Sequence, residues 1–389
     1  MRYFRKSPID MKILAIGYGK NLFTTGHPEQ LRQLACATVV DEYHMIVFAR
    51  TSEGLKSQQI GNFFLYPTGG KTRFGMVVRA FLLGRQLVRQ SKLPTDFVVT
   101  AQDPFEAGLV GYLIARFCTL SLNLQEHGDF FSAKEWRRES VVNRIRFVLG
   151  KWLLRRADTV RVVSTRMLAT MQQIGVSPTK LRLLSVEVPL QRFLQAPPSA
   201  VARQLFPPDS LIILTVARLV PQKNLSLLLR AFTKVVAETP QARLLIIGTG
   251  PEQQKLIARA TEFGLLGEAQ PLVRFLPWTD DVPSYMQSAD MYALSSNYEG
   301  YARVLPEAMA SGLGVVTTDV GCAHEVVVHG QHGLIVPVAD EVAFTAALVT
   351  LSTNAFLRQQ CGQAAHTAME SVATTPTEPY ANRWRAALQ

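Results

Sequence analysis

The stretch Asn297-Tyr298-Glu299-Gly300-Tyr301-Ala302-Arg303-Val304-Leu305-Pro306-Glu307-Ala308-Met309-Ala310-Ser311-Gly312 sets the reading of the whole chain. It follows a short apolar strand at 290–294 through a Ser, Asn and Gly loop. A small-residue helix then begins near Val304, with Pro306 in its first turn, where a missing N–H costs nothing. A buried strand running through a glycine loop into a helix is the unit of a parallel sheet with crossover helices. It puts Glu299 at the strand's C-terminal mouth and Glu307 about one turn into the helix. Both carboxylates can then face one crevice while the loop amides point at an anion. That suits a ligand carrying hydroxyls and phosphates. Spacing alone also allows a turn residue and a solvated helix carboxylate.

The same unit recurs in both directions. In the second half, strands are expected at 211–217, 243–248, 273–276, 291–294, 315–318 and 333–336, with helices at 226–238, 252–263, 282–287 and 304–311. In the first half, strands at 12–17, 43–49, 63–66, 97–100, 121–125 and 159–163 alternate with helices at 29–40, 74–91 and 107–117. The fold class is therefore α/β, with two doubly wound, Rossmann-like domains, and 389 residues exceed what one core usually holds. Residues 186–210 hold Pro189, Pro197, Pro198, Pro207 and Pro208 and read as a linker. The expected domains are 1–195 and 196–375, with 376–389 forming a helix around Trp384 that crosses back to the first domain.

Charge is uneven. Residues 1–195 hold 28 Lys and Arg against 14 Asp and Glu, whereas 196–389 hold 13 against 16. A basic half implies an anionic partner, but no helix-turn-helix, aromatic platform or zinc pattern accompanies it, so nucleic acid is disfavoured. Residues 133–166 alone carry ten basic and three acidic side chains, with Trp136, Val141, Ile145, Val148, Trp152 and Leu153 near helical spacing. Such a helix either lies on an anionic membrane or buries this stripe against its own sheet. Lys71 to Lys92 adds a second basic stretch. No apolar run reaches the ~18 to 20 residues of a spanning helix, and the basic residues 1–10 lack a signal-type core. The expectation is a cytoplasmic protein, with peripheral contact at the inner face of the plasma membrane as a further option. Cys36, Cys118, Cys322 and Cys361 lack metal-site or redox spacing and read as buried small hydrophobes.

The expected strand at 211–217 runs into Arg218-Leu219-Val220-Pro221-Gln222-Lys223-Asn224. Arg218 and Lys223 can both point at the helix N-terminus that follows, where a diphosphate is the natural guest. The next strand ends in Ile247-Gly248-Thr249-Gly250-Pro251, whose glycines allow a close turn or backbone approach to a ligand.

Taken in order, these residues resemble the C-terminal domain of the family 4 retaining glycosyltransferases, which have the GT-B fold. The matches are the Arg218 and Lys223 loop, the Gly248 to Gly250 strand end, Ser288-Ala289-Asp290, Glu299 with Glu307 and the run to Gly312, the turn from Gly321 to Glu325, and Gly333 to Pro337. In the first half, the opening strand to Gly17, Glu126-His127-Gly128-Asp129 and the stretch from Ala157 to Ser164 match more loosely. The resemblance implies two Rossmann-like domains facing an interdomain cleft and an enzyme of polysaccharide or glycoconjugate synthesis. It would move a sugar from a nucleotide-sugar donor to a carbohydrate or lipid-linked acceptor. Arg218 and Lys223 would hold the donor diphosphate in place of a metal, so no cofactor is expected and the nucleotide sugar is a co-substrate. Glu307 would bind ribose hydroxyls, Glu299 the donor sugar, and the amides of Gly300, Tyr301, Ala302 and Arg303 the sugar and distal phosphate. His127 would lie near the reacting centre. Gly17 and Gly26 would belong to an acceptor or phosphate loop, although only Gly26 stands where a glycine pair is usual, and Ala302 replaces a usual glycine. A sugar phosphorylase, a nucleotide-sugar epimerase or a noncatalytic binding module stay open as alternatives.

Overall fold

The structure is a computed structural model that describes residues 11–91, 94–267 and 270–389; the basic residues 1–10 and Lys92 lie outside the described residues. Contacts divide the chain into two units. One runs to Ser185 and takes up Thr377–Gln389; the other is Val186–Pro376.

In the first unit the strands are β1 (Lys12–Gly17), β2 (Glu42–Val47), β3 (Gln58–Ile60), β4 (Phe63–Pro67), β5 (Phe97–Ala101), β6 (Ser121–Glu126), β7 (Thr159–Val162) and β8 (Leu181–Leu183). They form one sheet in the order β3-β4-β2-β1-β5-β6-β7-β8. All neighbours are parallel except β3 with β4. The crossovers include α1 (Pro28–Ala37), α2 (Arg73–Gln90), α3 (Glu106–Cys118), α4 (Lys134–Glu139), α5 (Val141–Arg156) and α6 (Thr165–Gln173). From β1 to β2 the chain steps one way across the sheet, and after β4 it steps the other way. Right-handed crossovers therefore place α1 on one face and α2, α3 and α5 together on the opposite face.

The chain's last helix, Tyr380–Ala386, belongs to this unit and lies beside α1. Trp384 is buried against Tyr43, with ring centroids 5.4 Å apart. Arg161 Nη2 donates to the Tyr380 hydroxyl at 2.7 Å, and Asn123 Nδ2 donates to the Ala387 carbonyl at 3.1 Å.

The second unit contains α7 (Gln191–Leu194), β9 (Leu211–Val216), α8 (Leu225–Glu238), β10 (Ala242–Ile247), α9 (Gln253–Glu262), β11 (Val273–Leu276), α10 (Val282–Gln287), β12 (Met291–Leu294), α11 (Val304–Ala310), β13 (Gly314–Thr318), α12 (Ala323–Val326), β14 (Gly333–Val336), α13 (Glu341–Thr353) and α14 (Ala355–Thr374). Its all-parallel sheet runs β11-β10-β9-β12-β13-β14. Strands β9, β10, β12 and β13 are buried at every position, as a sheet covered on both faces requires. The strand order reverses between β9 and β12. Loops leaving the C-terminal ends of those two strands therefore flank the point where doubly wound sheets receive ligands.

The proline-rich residues 186–210 pack on this unit instead of hanging as a linker. Leu190, Phe193, Ala202 and Phe206 join its core, and Arg203 pairs with Asp290 at 2.7 Å. Apolar side chains spaced between the prolines give the segment something to bury, so the division falls after Ser185 and not after residue 195.

Candidate active site

Two loops of the second unit meet at the switch point, one after β9 and one after β12. A short 3-10 turn, Pro221–Lys223, follows β9 and ends at Asn224, which adopts a left-handed conformation (φ 45°) that asparagine tolerates. Asn224 stands at the cap position of α8, but its side chain does not cap the helix. It donates instead to Asn297 Oδ1 at 2.9 Å. Gln222 is held the same way: its carbonyl accepts from the Asn297 amide at 2.8 Å, and its Nε2 donates to the Tyr298 carbonyl at 2.9 Å. Ser295 Oγ donates to the Lys223 carbonyl at 2.9 Å.

These bonds bring Lys223 and Glu299 into direct contact, with Nζ 2.5 Å from Oε1. Glu299 is 7% exposed, and the same Oε1 accepts from Ser296 Oγ at 2.7 Å. Arg218 differs. It is exposed; its carbonyl accepts from the Val220 amide at 2.9 Å, but among the described residues nothing hydrogen-bonds to its side chain or pairs with its charge. At the mouth of β9 the chain thus presents a free guanidinium, an ammonium already neutralised by a buried carboxylate, and a helix start with no side-chain cap. Orphan N–H groups at such a start favour an anion.

Glu307 sits in the first turn of α11, beside Arg303 Nη2 at 3.6 Å. Burial pushes its carboxyl up to about 7 from an ordinary 4.5, and the opposing pull of Arg303 and Arg192 does not restore it. The loop between Glu299 and Glu307 is braced from behind by the turn after β13. The Cys322 amide donates to the Tyr301 carbonyl at 2.8 Å, and a Cβ on Gly321 would lie 2.5 Å from that same carbonyl oxygen. Ala302 holds φ +67°, the left-handed region where glycine is favoured.

Gly248 and Gly250 answer to the chain's own backbone. A Cβ on Gly248 (φ +150°) would sit 1.9 Å from the Ala217 carbonyl oxygen, and one on Gly250 would sit 2.3 Å from that of Leu219. Their glycines let the loops after β9 and β10 touch.

The remaining expected residues lie in the first unit. Gly17 ends β1, and the side chain of Gln102 fills the space beside it. The Gly26 amide donates to Gln30 Oε1 at 3.1 Å, and His27 Nδ1 caps α1 by accepting from the Glu29 amide at 3.2 Å, so both groups are already engaged within their own turn. His127 is exposed just beyond β6, with Nε2 2.9 Å from Gln125 Oε1. Gln125 Nε2 donates to Thr100 and its Oε1 accepts from Arg161, which fixes the amide's orientation. His127 Nε2 is therefore the donor, and Nδ1 keeps its lone pair. Next to it, Glu126 is fully buried with Oε2 unpartnered, and burial raises its carboxyl to about 8. Sequence reasoning missed Gln222 and Ser296 as the groups that orient Glu299. Ser296 was within reach of recognition, because a serine three residues before a glutamate on a tight loop can donate to it.

Two family models match, one after the other. Residues 25–187 match the glycosyl transferase 4-like domain, and residues 199–368 match glycosyl transferases group 1. The chain belongs to the group 1 glycosyltransferases. The phosphatidyl-myo-inositol mannosyltransferase of Mycobacterium leprae is 37% identical over 143 residues, covering 36% of each chain. Sucrose-phosphate synthase from Thermosynechococcus elongatus has a TM-score of 0.76 at 19% identity, covering 97% of this chain and 96% of that one. Anabaena Alr3699/HepE, solved with UDP-glucose, has a TM-score of 0.70 at 20% identity over 93% and 95%. These likenesses establish the GT-B fold for this glycosyltransferase-family chain. The chain spans between about a third and a little over half of the length of the curated relatives it matches.

Proposed function

We propose that the chain is a retaining glycosyltransferase that moves a sugar from a nucleotide-sugar donor to a hydroxyl of a carbohydrate or lipid-linked acceptor, without a metal ion. The observation that carries this reading is the Lys223–Glu299 ion pair beside the uncapped start of α8, in the loop that opens with the exposed Arg218. Breaking the bond between the anomeric carbon and phosphate leaves negative charge on the diphosphate and positive charge on the ring. Arg218, Lys223 and the α8 amides would stabilise the first charge as it develops. Glu299 would accept hydrogen bonds from the donor sugar's hydroxyls and Glu307 from the ribose. His127, with its Nδ1 lone pair open, would contact the sugar. In a retaining transfer the acceptor oxygen bonds to the anomeric carbon on the face the phosphate leaves, and its proton passes to the departing phosphate oxygen. The mannosyltransferase relative is named for a lipid acceptor and the Anabaena structure for a UDP-sugar, which support the substrate classes.

The test is a thermal-shift screen of UDP-, GDP- and ADP-sugars, followed by turnover of the best one with and without chelator. One nucleotide should raise the melting temperature, and turnover should persist in chelator and need no inorganic phosphate. Product of inverted anomeric configuration, or turnover abolished by chelator, would overturn the mechanism.

A further inference from the structure

The helical face of the first unit shows apolar side chains to solvent where its arginines are densest. On α5, Val141, Val142, Ile145 and Val148 are 51 to 67% exposed and Trp152 is 39% exposed. Asn143, Gly150, Leu153 and Leu154 face inward, as does Trp136 of α4. So the stripe read from the sequence divides: Trp136 and Leu153 enter the core, while the other four stay outside. On α2, Phe74, Val78 and Leu82 repeat every fourth residue and are exposed, which makes them one stripe. Phe117 of α3 lies exposed between the two helices. Phe81 and Phe117 approach to 5.7 Å between centroids, and Tyr112 and Trp152 to 5.0 Å, so the three helices share one surface.

Charge identifies what covers it. Helices α2 and α5 carry nine Arg and Lys and no Asp or Glu. Two cations lie on rings of this face: Arg156 is 4.1 Å from the centroid of exposed Trp152, and Arg85 lies over half-buried Phe81 and exposed Phe117. Apolar side chains ringed by guanidinium groups, of which Arg146 is paired with Glu106 of α3, with tryptophan at the edge, match the interface of an anionic bilayer, where tails and phosphates lie a few ångströms apart. Among the described residues no helix is long and apolar enough to cross a membrane. The contact is therefore with the surface.

We propose that the outer face of α2, α3 and α5 docks on an anionic phospholipid bilayer. Val141, Ile145, Val148 and Phe74 enter the boundary between headgroups and acyl chains, while Arg144, Lys151, Arg155 and Arg156 bind lipid phosphates. This inference stands apart from the catalytic reading, because its test uses no nucleotide sugar.

The full chain is sedimented with phosphatidylcholine vesicles with and without phosphatidylglycerol, over a range of salt. Binding should require phosphatidylglycerol and weaken as salt rises. The double substitution Ile145→Ser with Val148→Ser should lower vesicle affinity about tenfold, since each removes buried methyl groups. Its thermal melting should be unchanged, because both side chains already face water. Arg144→Gln with Lys151→Gln should weaken binding roughly fivefold per cation removed. Equal binding to neutral and anionic vesicles would overturn the proposal. So would serine variants that bind like the parent, or a dimer in solution that the serine substitutions disperse, since the face would then belong to a second copy.

Discussion

Lys223 and Glu299 form an ion pair that is almost fully withdrawn from water, with the two side chains 15% and 9% exposed. Neither loop could hold this shape alone. Removing the ammonium leaves a buried carboxylate with only Ser296 and Gln222 as side-chain donors among the described residues. Lys223→Met is therefore expected to destabilise the second unit by roughly 3 kcal/mol. Adding Glu299→Gln should recover part of that loss, and urea melts of the single and double variants measure it.

Arg218 gives the opposite pattern. It has no partner to lose among the described residues, so Arg218→Ala should change stability by no more than about 0.5 kcal/mol. Under the proposed mechanism it lowers transfer by roughly 100- to 1,000-fold. Equal losses of stability and rate would make it a structural residue.

Glu307 sets a pH dependence with a definite sign. Its carboxyl is raised to about 7 in the folded chain from an ordinary 4.5, so between those values the folded state holds a proton that the unfolded state releases. Stability then falls as pH rises from 4.5 to 7 and is level above that. Glu307→Gln removes the penalty. It should stabilise the chain by up to about 3 kcal/mol at pH 8 and leave it unchanged at pH 4. If the ionised carboxylate receives the ribose, nucleotide-sugar affinity should drop as pH falls through about 7.

Two small-residue exchanges test the loop geometry. Ala302 holds a left-handed backbone that costs an alanine about 1 kcal/mol, so Ala302→Gly should raise the melting temperature slightly. Gly248→Ala forces a methyl group against the Ala217 carbonyl oxygen and should cost several kcal/mol, which is above the usual range for a point change. Calorimetry of the two variants should show shifts of opposite sign.

The strands that carry the site, β9 and β12, were legible because they are almost wholly apolar runs that end in polar loops, and β11, β12 and β14 fall on the expected residues. The short edge strands β3 and β8 were not, since three residues give no periodicity to read. Helix α13 also escaped notice: it is apolar around much of its circumference, so no amphipathic stripe marks it. In 186–210 the prolines dominated the reading, while the apolar residues that anchor it are spread too thinly to form a period. At the site, the residue types at Arg218, Lys223, Glu299 and Glu307 spoke for themselves. Their partners did not, because Gln222 reaches Glu299 across 77 positions of sequence.

The path of the chain has a consequence for its biosynthesis. Trp384, Ala387 and Leu388 sit in the same apolar cluster as Met11, Ile13 and Tyr43, so the first half waits for the last few residues before its interior is sealed. On the ribosome the second half can fold while the first is still open at that spot. A fragment ending at Ser185 would leave Tyr43 and its neighbours bare to water, and separating the halves calls for splicing the tail back on rather than a single cut.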